Sequence, residues 1–185
     1  MDHFGWLAPF YNRLFAAQDF SKLYARLQLP IRGRLLDAGG GTGRVSWPLR
    51  DRVGGMVVLD FSFRMLQQVP QQSVIFPVQS SVERLPFPDH AFERILVVDA
   101  FHHFVDHPVA VAELLRVLHP DGLMVIEEPD IRHWAVKAVA LMEKLLFMRS
   151  RFYAPDAISS LFTAQGAIAT IEHDDHYTSW IIVTK

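Results

Sequence analysis

The residues best equipped for chemistry stand in a run at "LLDAGGGTGR", residues 35 to 44, where Asp37 precedes alternate glycines at Gly39, Gly41 and Gly43. A backbone without side chains lets a ligand lie directly against N–H and C=O groups, with the positive end of a following helix close by. The spacing is G-x-G-x-G, and Arg44 stands where a dinucleotide fingerprint would carry its third glycine. A carboxylate at Asp37 would repel a pyrophosphate and attract an ammonium group, so the ligand is expected to carry a positive charge near the loop. Further along, Asp99, His102, His103, Glu128 and His133 offer groups that could position an acceptor or take a proton. His103 and His107 have the i, i+4 spacing of a metal pair with Asp106 between them, but Pro108 makes that stretch a helix entrance, and no metal site is assigned. The cluster "EHDDH", 172 to 176, reads as a polar hairpin tip.

These residues need elements to hold them. Apolar runs recur at 34 to 38, 56 to 60, 73 to 78, 94 to 99 and 122 to 128. Apolar at nearly every position, they are expected to be strands buried on both faces, as in a parallel sheet. Helices are expected over 44–52, 62–70 and 108–118, the last stopped by "HPDG". Strand alternating with helix predicts a doubly wound α/β sheet, in which ligands bind at the carboxyl ends of the strands. The final runs "AIATIEHDD" and "TSWIIVTK" predict a C-terminal antiparallel hairpin.

Bulk properties narrow the function. The 185 residues carry 18 Lys and Arg against 20 Asp and Glu, a net charge of −2, which disfavours a nucleic-acid partner. There is no cysteine, so disulfides, thiolate metal sites and cysteine nucleophiles are excluded. No run is suited to a signal peptide or a membrane span, and the expected location is the cytoplasm.

"LLDAGGGTGR" resembles the first motif of the class I S-adenosylmethionine-dependent methyltransferases. The likeness extends through "VVLDFSFRML", "SSVERLPFPDHAFERILVVDAFHHF" and "RVLHPDGLMVIEEPD", and is similar to the ubiquinone/menaquinone-biosynthesis-like branch. It implies one Rossmann-like domain over 1–185, with a mostly parallel seven-stranded sheet and S-adenosylmethionine as cofactor. In addition to Asp37 and the three glycines, it assigns the cofactor Asp60 and Phe61, 23 and 24 residues after Asp37, with Asp60 on the ribose hydroxyls and Ser62 as a helix N-cap. Ser81 and Val82 fall near the adenine, Ser81 standing where relatives have an acid, with Glu83 a substitute for it. Asp99 and Phe101 line the methionine part, and Tyr11 belongs to an N-terminal lid over 1–30 that also carries Trp6, Phe10 and Phe15. The segment 131–153 is expected to be a helical insertion that binds an acceptor, pairs with a second subunit as a homodimer, or lies on a membrane. His103 and His102 are the candidate catalytic residues, with capping of local amides as their alternative role. The implied reaction is methyl transfer to oxygen, nitrogen or carbon of a small molecule, with an apolar acceptor among those it admits. A catalytically silent binding subunit and an NAD-dependent oxidoreductase stand as alternatives.

Overall fold

The structure is a computed structural model that describes residues 20–145, 150–173 and 177–185. Helix α1 (Phe20–Arg26) precedes β1 (Arg34–Ala38), the short α2 (Ser46–Leu49) with a 3-10 turn at Arg50–Arg52, and β2 (Gly55–Asp60). Then come α3 (Phe63–Leu66), β3 (Ile75–Gln79), β4 (Phe92–Val98), a 3-10 turn at Phe101–His103, α4 (His107–Val117) and β5 (Leu118–Pro129). The chain ends with α5 (Trp134–Leu145), α6 (Pro155–Thr163), β6 (Ile168–His173) and β7 (Thr178–Thr184).

Seven strands form one sheet in the order β3-β2-β1-β4-β5-β7-β6. β1 pairs in parallel with both β2 and β4, and the order reverses there, opening a crevice at the carboxyl end of β1. β7 runs antiparallel between β5 and β6, as the hairpin reading predicts. Alternate residues along the central strands feed two apolar layers. Leu36, Leu59, Ile95 and Val97 pack on one face with α4 and α6; Leu35, Met56, Leu96 and Val125 pack on the other with α1 and α2.

Three expectations need correction. The run 73–78 forms an edge strand, paired only with β2, and Phe76 on it is 54% exposed. Pro77 lacks the N–H that an inner strand must donate, so the edge is where this sequence can sit. The helices expected at 44–52 and 62–70 regularise for only four residues each, with Pro48 and Pro70 limiting them. The segment 131–153 is not one helix: Ser150–Tyr153 is irregular, and a separate α6 follows with Pro155 in its first turn and Ile158 and Phe162 buried beneath it.

Candidate active site

The glycine loop leaves β1 and turns back over the tip of β2. The amides of Gly39 and Gly40 both donate to the Leu59 carbonyl, at 2.8 and 3.0 Å, and Gly43 N donates to Gly40 O at 2.9 Å. Gly39, Gly41 and Gly43 have φ of +80°, +56° and +73°, a region closed to most residues with a Cβ. Gly39 is doubly constrained, since a Cβ there would lie 2.5 Å from the Ala100 Cβ. The requirement for Gly40 was not anticipated. A Cβ there would come within 2.6 Å of an Asp37 carboxylate oxygen and 2.8 Å of Val58 Cγ1, so the loop lies directly on the acid at the end of β1.

Asp37 is only 1% exposed and its Oδ2 accepts from Ser46 Oγ at 2.6 Å. Burial pushes its pKa up to about 6; the Ser46 hydrogen bond opposes that rise, the neighbouring Asp60 charge adds to it, and Arg44 opposes it. The charge of Asp37 therefore acts on the crevice through the loop. At the tip of β2, Asp60 faces the same loop: Oδ2 accepts from Gly41 N at 2.9 Å and Oδ1 from Ser62 N at 2.7 Å. Ser62 Oγ accepts from Met65 N at 3.3 Å, the N-cap expected of it. Phe61, between them, is 68% exposed at the rim.

The far wall comes from the ends of β4 and β5. Asp99 has φ +50°, its N–H donates to Glu127 O at 3.0 Å, and its Oδ2 lies 4.0 Å from an Arg44 guanidinium nitrogen. Phe101 is fully buried, with its ring 5.4 Å from Phe104 and 4.9 Å from His107, so it supports the wall from the core and does not line it. Near the β3 tip, Val82 is buried and its N–H donates no hydrogen bond among the described residues. Ser81 Oγ donates to Glu83. Glu83 does not stand in for the absent acid, because its Oε1 accepts from Val105 N at 2.7 Å and Asp106 N at 3.3 Å. Burial raises its pKa, but Ser81 and the amides outweigh that and hold it below the usual glutamate value.

The two histidines differ. His102 is 4% exposed, with Nδ1 2.6 Å from Glu128 Oε2 and its ring stacked 4.2 Å from Phe152. His103 Nδ1 lies 3.1 Å from Ser150 Oγ. Burial, with the His102 ring beside it, pushes the His103 pKa down to about 3, so the imidazole is neutral at working pH and a weak proton acceptor. The base role expected of His103 is poorly served by that environment. His107 Nε2 donates to Phe101 O at 3.0 Å, and Asp106 caps α4 by accepting from Val109 N at 3.1 Å. Asp106 and His107 are thus engaged in holding the helix entrance. Among the described residues, no group of three or more His, Cys, Asp or Glu could hold a metal. Tyr11, with Trp6, Phe10 and Phe15 of the expected lid, lies outside the described residues, as do residues 174–176 of the "EHDDH" tip. No helix among the described residues is long and apolar enough to cross a membrane.

Residues 36–126 match the family of the methyltransferase domain, a stretch that runs from β1 into β5. A demethylmenaquinone methyltransferase of Thermus thermophilus is 35% identical over 103 residues, 51% of this chain and 46% of that protein. A ubiquinone/menaquinone biosynthesis C-methyltransferase of Chromobacterium violaceum is 30% identical over 130 residues, 61% of this chain and 53% of that protein. The chain thus spans about half the length of the curated relatives it matches. Among solved structures, a Thermotoga maritima S-adenosylmethionine-dependent methyltransferase superposes with a TM-score of 0.79 at 21% identity, covering 98% of this chain and 97% of that one. The methyltransferase solved with its activator Trm112 from Haloferax volcanii gives 0.83 at 16% identity, covering 100% and 98%. These likenesses show the fold. The glycine loop, Asp60 and the ends of β1, β2 and β4 all fall within residues 36–126, and it is this stretch that is similar to the methyltransferase domain family.

Proposed function

We propose that this protein transfers a methyl group from S-adenosylmethionine to a small, apolar acceptor, with a ring carbon of a quinol-like molecule as the first class to test. The observation that carries the reading is the crevice itself: three glycines at positive φ beside Asp60, whose two oxygens are aimed by the Gly41 and Ser62 amides. A carboxylate fixed in this way at the tip of β2 is the kind of acceptor that a vicinal pair of ribose hydroxyls requires. The quinone-linked names of the relatives, at 35% and 30% identity, favour the acceptor class and the carbon atom.

The bound cofactor supplies a methyl group on a sulfonium, already activated for displacement. The chain's own residues then bind, align and exclude water. Bare backbone at Gly39 and Gly41 lets the methionine portion approach the peptide, and the buried Asp37 favours its positive charge. Ser81 donates its hydroxyl proton to Glu83, which leaves its oxygen as an acceptor for an adenine amino group. Val82 offers an N–H to the same ring. Asp99, held close to Arg44, borders the methionine side. Alignment of nucleophile, carbon and sulfur contributes ~7–11 kcal/mol in reactions of this kind. His103, neutral and bonded to Ser150, serves as a hydrogen-bonding wall for the acceptor.

The test is product formation from labelled S-adenosylmethionine with a panel of demethylated quinols, phenols and amines, with Asp60→Ala as the control. Label transferred to a quinol by the wild-type protein and lost in the variant is the expected result. A protein that binds the cofactor and methylates none of the panel would support the silent-subunit reading instead.

A further inference from the structure

The wall opposite the glycine loop is tied down by a buried carboxylate from the neighbouring strand. Glu128, 3% exposed near the end of β5, accepts at Oε1 from two consecutive amides, Ala100 N at 2.9 Å and Phe101 N at 2.7 Å. Its Oε2 lies 2.6 Å from His102 Nδ1. Three donors from one turn therefore converge on a single side chain from the neighbouring strand. Charge-assisted bonds of this kind, shielded from water, are among the stronger ones available to a fold.

The turn that Glu128 collects is the one that shapes the site. Asp99 immediately precedes it in the left-handed region at φ +50°, a conformation costly for a residue with a Cβ and stable only where the surroundings impose it. The Ala100 Cβ stands against the place where Gly39 has no side chain, so the turn and the glycine loop are in direct contact. The other end of the same connection is held by Glu83 through Val105 N and Asp106 N, and residues 150–153 cover its middle, with Arg151 N donating to His102 O at 2.7 Å. We propose that Glu128 is a positioning residue for the cofactor crevice, acting through the Ala100 and Phe101 amides to hold Asp99 and the His102–His103 turn against the glycine loop. This rests on the crevice being the cofactor site, and it gives the buried His102 a role as a third donor to the clamp.

Two readouts test it, one of them independent of any ligand. The first is hydrogen exchange at the Ala100 and Phe101 amides of the whole chain without cofactor. Exchange should accelerate about tenfold or more in Glu128→Ala, while Glu128→Gln, whose amide oxygen still accepts, should recover most of the protection. The second is calorimetric titration with S-adenosylhomocysteine. Affinity should fall about tenfold or more in Glu128→Ala and Glu128→Asp, the latter a methylene too short to reach both amides, and return toward wild type in Glu128→Gln. Equal exchange in wild type and Glu128→Ala, or a Glu128→Gln as impaired as Glu128→Asp, would overturn the assignment. If Glu128→Ala does not fold, the Gln and Asp variants decide by the same criterion. A wild-type protein that ignores S-adenosylhomocysteine while the exchange pattern holds would refute the cofactor reading and leave the clamp standing.

Discussion

Asp37 should make cofactor binding a proton-releasing event. Burial, with the Asp60 charge adding to it and the Ser46 bond and Arg44 opposing, raises its pKa from 3.8 to about 6. An acid whose folded-state pKa is raised destabilises the fold once it ionises. The unfolded chain loses this proton near pH 4, the folded chain only near pH 6, so the cost develops across that window and reaches about 3 kcal/mol above it. A cation bound over the loop reverses the shift. If it restores the ordinary value fully, affinity rises about tenfold between pH 5 and pH 7, and binding releases about 0.9 proton at pH 5 but about 0.1 at pH 7. Titrating the protein with S-adenosylmethionine by calorimetry at both pH values, in two buffers of different ionisation heat, counts those protons. Asp37→Asn, which keeps an oxygen for Ser46, should bind with a flat pH profile over the same range. If wild type and Asp37→Asn release the same number of protons at pH 5, the charge of Asp37 is not coupled to the ligand and the account of the loop is wrong.

Other perturbations follow from single contacts. Asp60→Ala should weaken cofactor binding by ~1–3 kcal/mol, since the ribose acceptors vanish together with the partner of the Gly41 amide, and calorimetry reads it directly. Ser62→Ala removes the N-cap of α3 and should cost about 1 kcal/mol in denaturant unfolding. Gly39→Ala, with φ +80° and a contact at 2.5 Å, should abolish cofactor binding or lower the melting temperature by several degrees. In a heteronuclear magnetic-resonance titration, His103 should remain neutral down to about pH 4, consistent with a pKa of about 3; an inflection near 6.5 would place it in water rather than in the wall.

What the sequence could disclose was local in the chain. The glycine loop, the acid at the end of β2 and its Ser62 cap are each specified within a few residues, and the conformations follow from them. The sheet's two-sided core was legible at β1, β2, β4 and β5, whose runs are apolar at nearly every position. β3 misled because an apolar run does not reveal whether a neighbour lies beyond it, although Pro77 was a sign of an edge. α6 had its own signals in Pro155, the i, i+4 pair Ile158 and Phe162, and Gly166 at φ +85°, hidden by reading the preceding apolar stretch as one long helix. The Glu128 clamp could not be read at all, because its donors lie 26 to 28 residues away and meet it only once β4 and β5 pair. Likewise Glu83 serves Val105 and Asp106 across 22 and 23 residues, which no local pattern reports.

On the reading proposed above, the crevice at the end of β1 takes a sulfonium nucleoside whose ribose is held by Asp60. Calorimetric titration of the wild-type protein and Asp60→Ala with S-adenosylhomocysteine and, separately, with NAD tests it most directly. One S-adenosylhomocysteine should bind per chain, more weakly in the variant, and NAD should give no heat. Saturable NAD binding, or S-adenosylhomocysteine binding untouched by loss of Asp60, would contradict it.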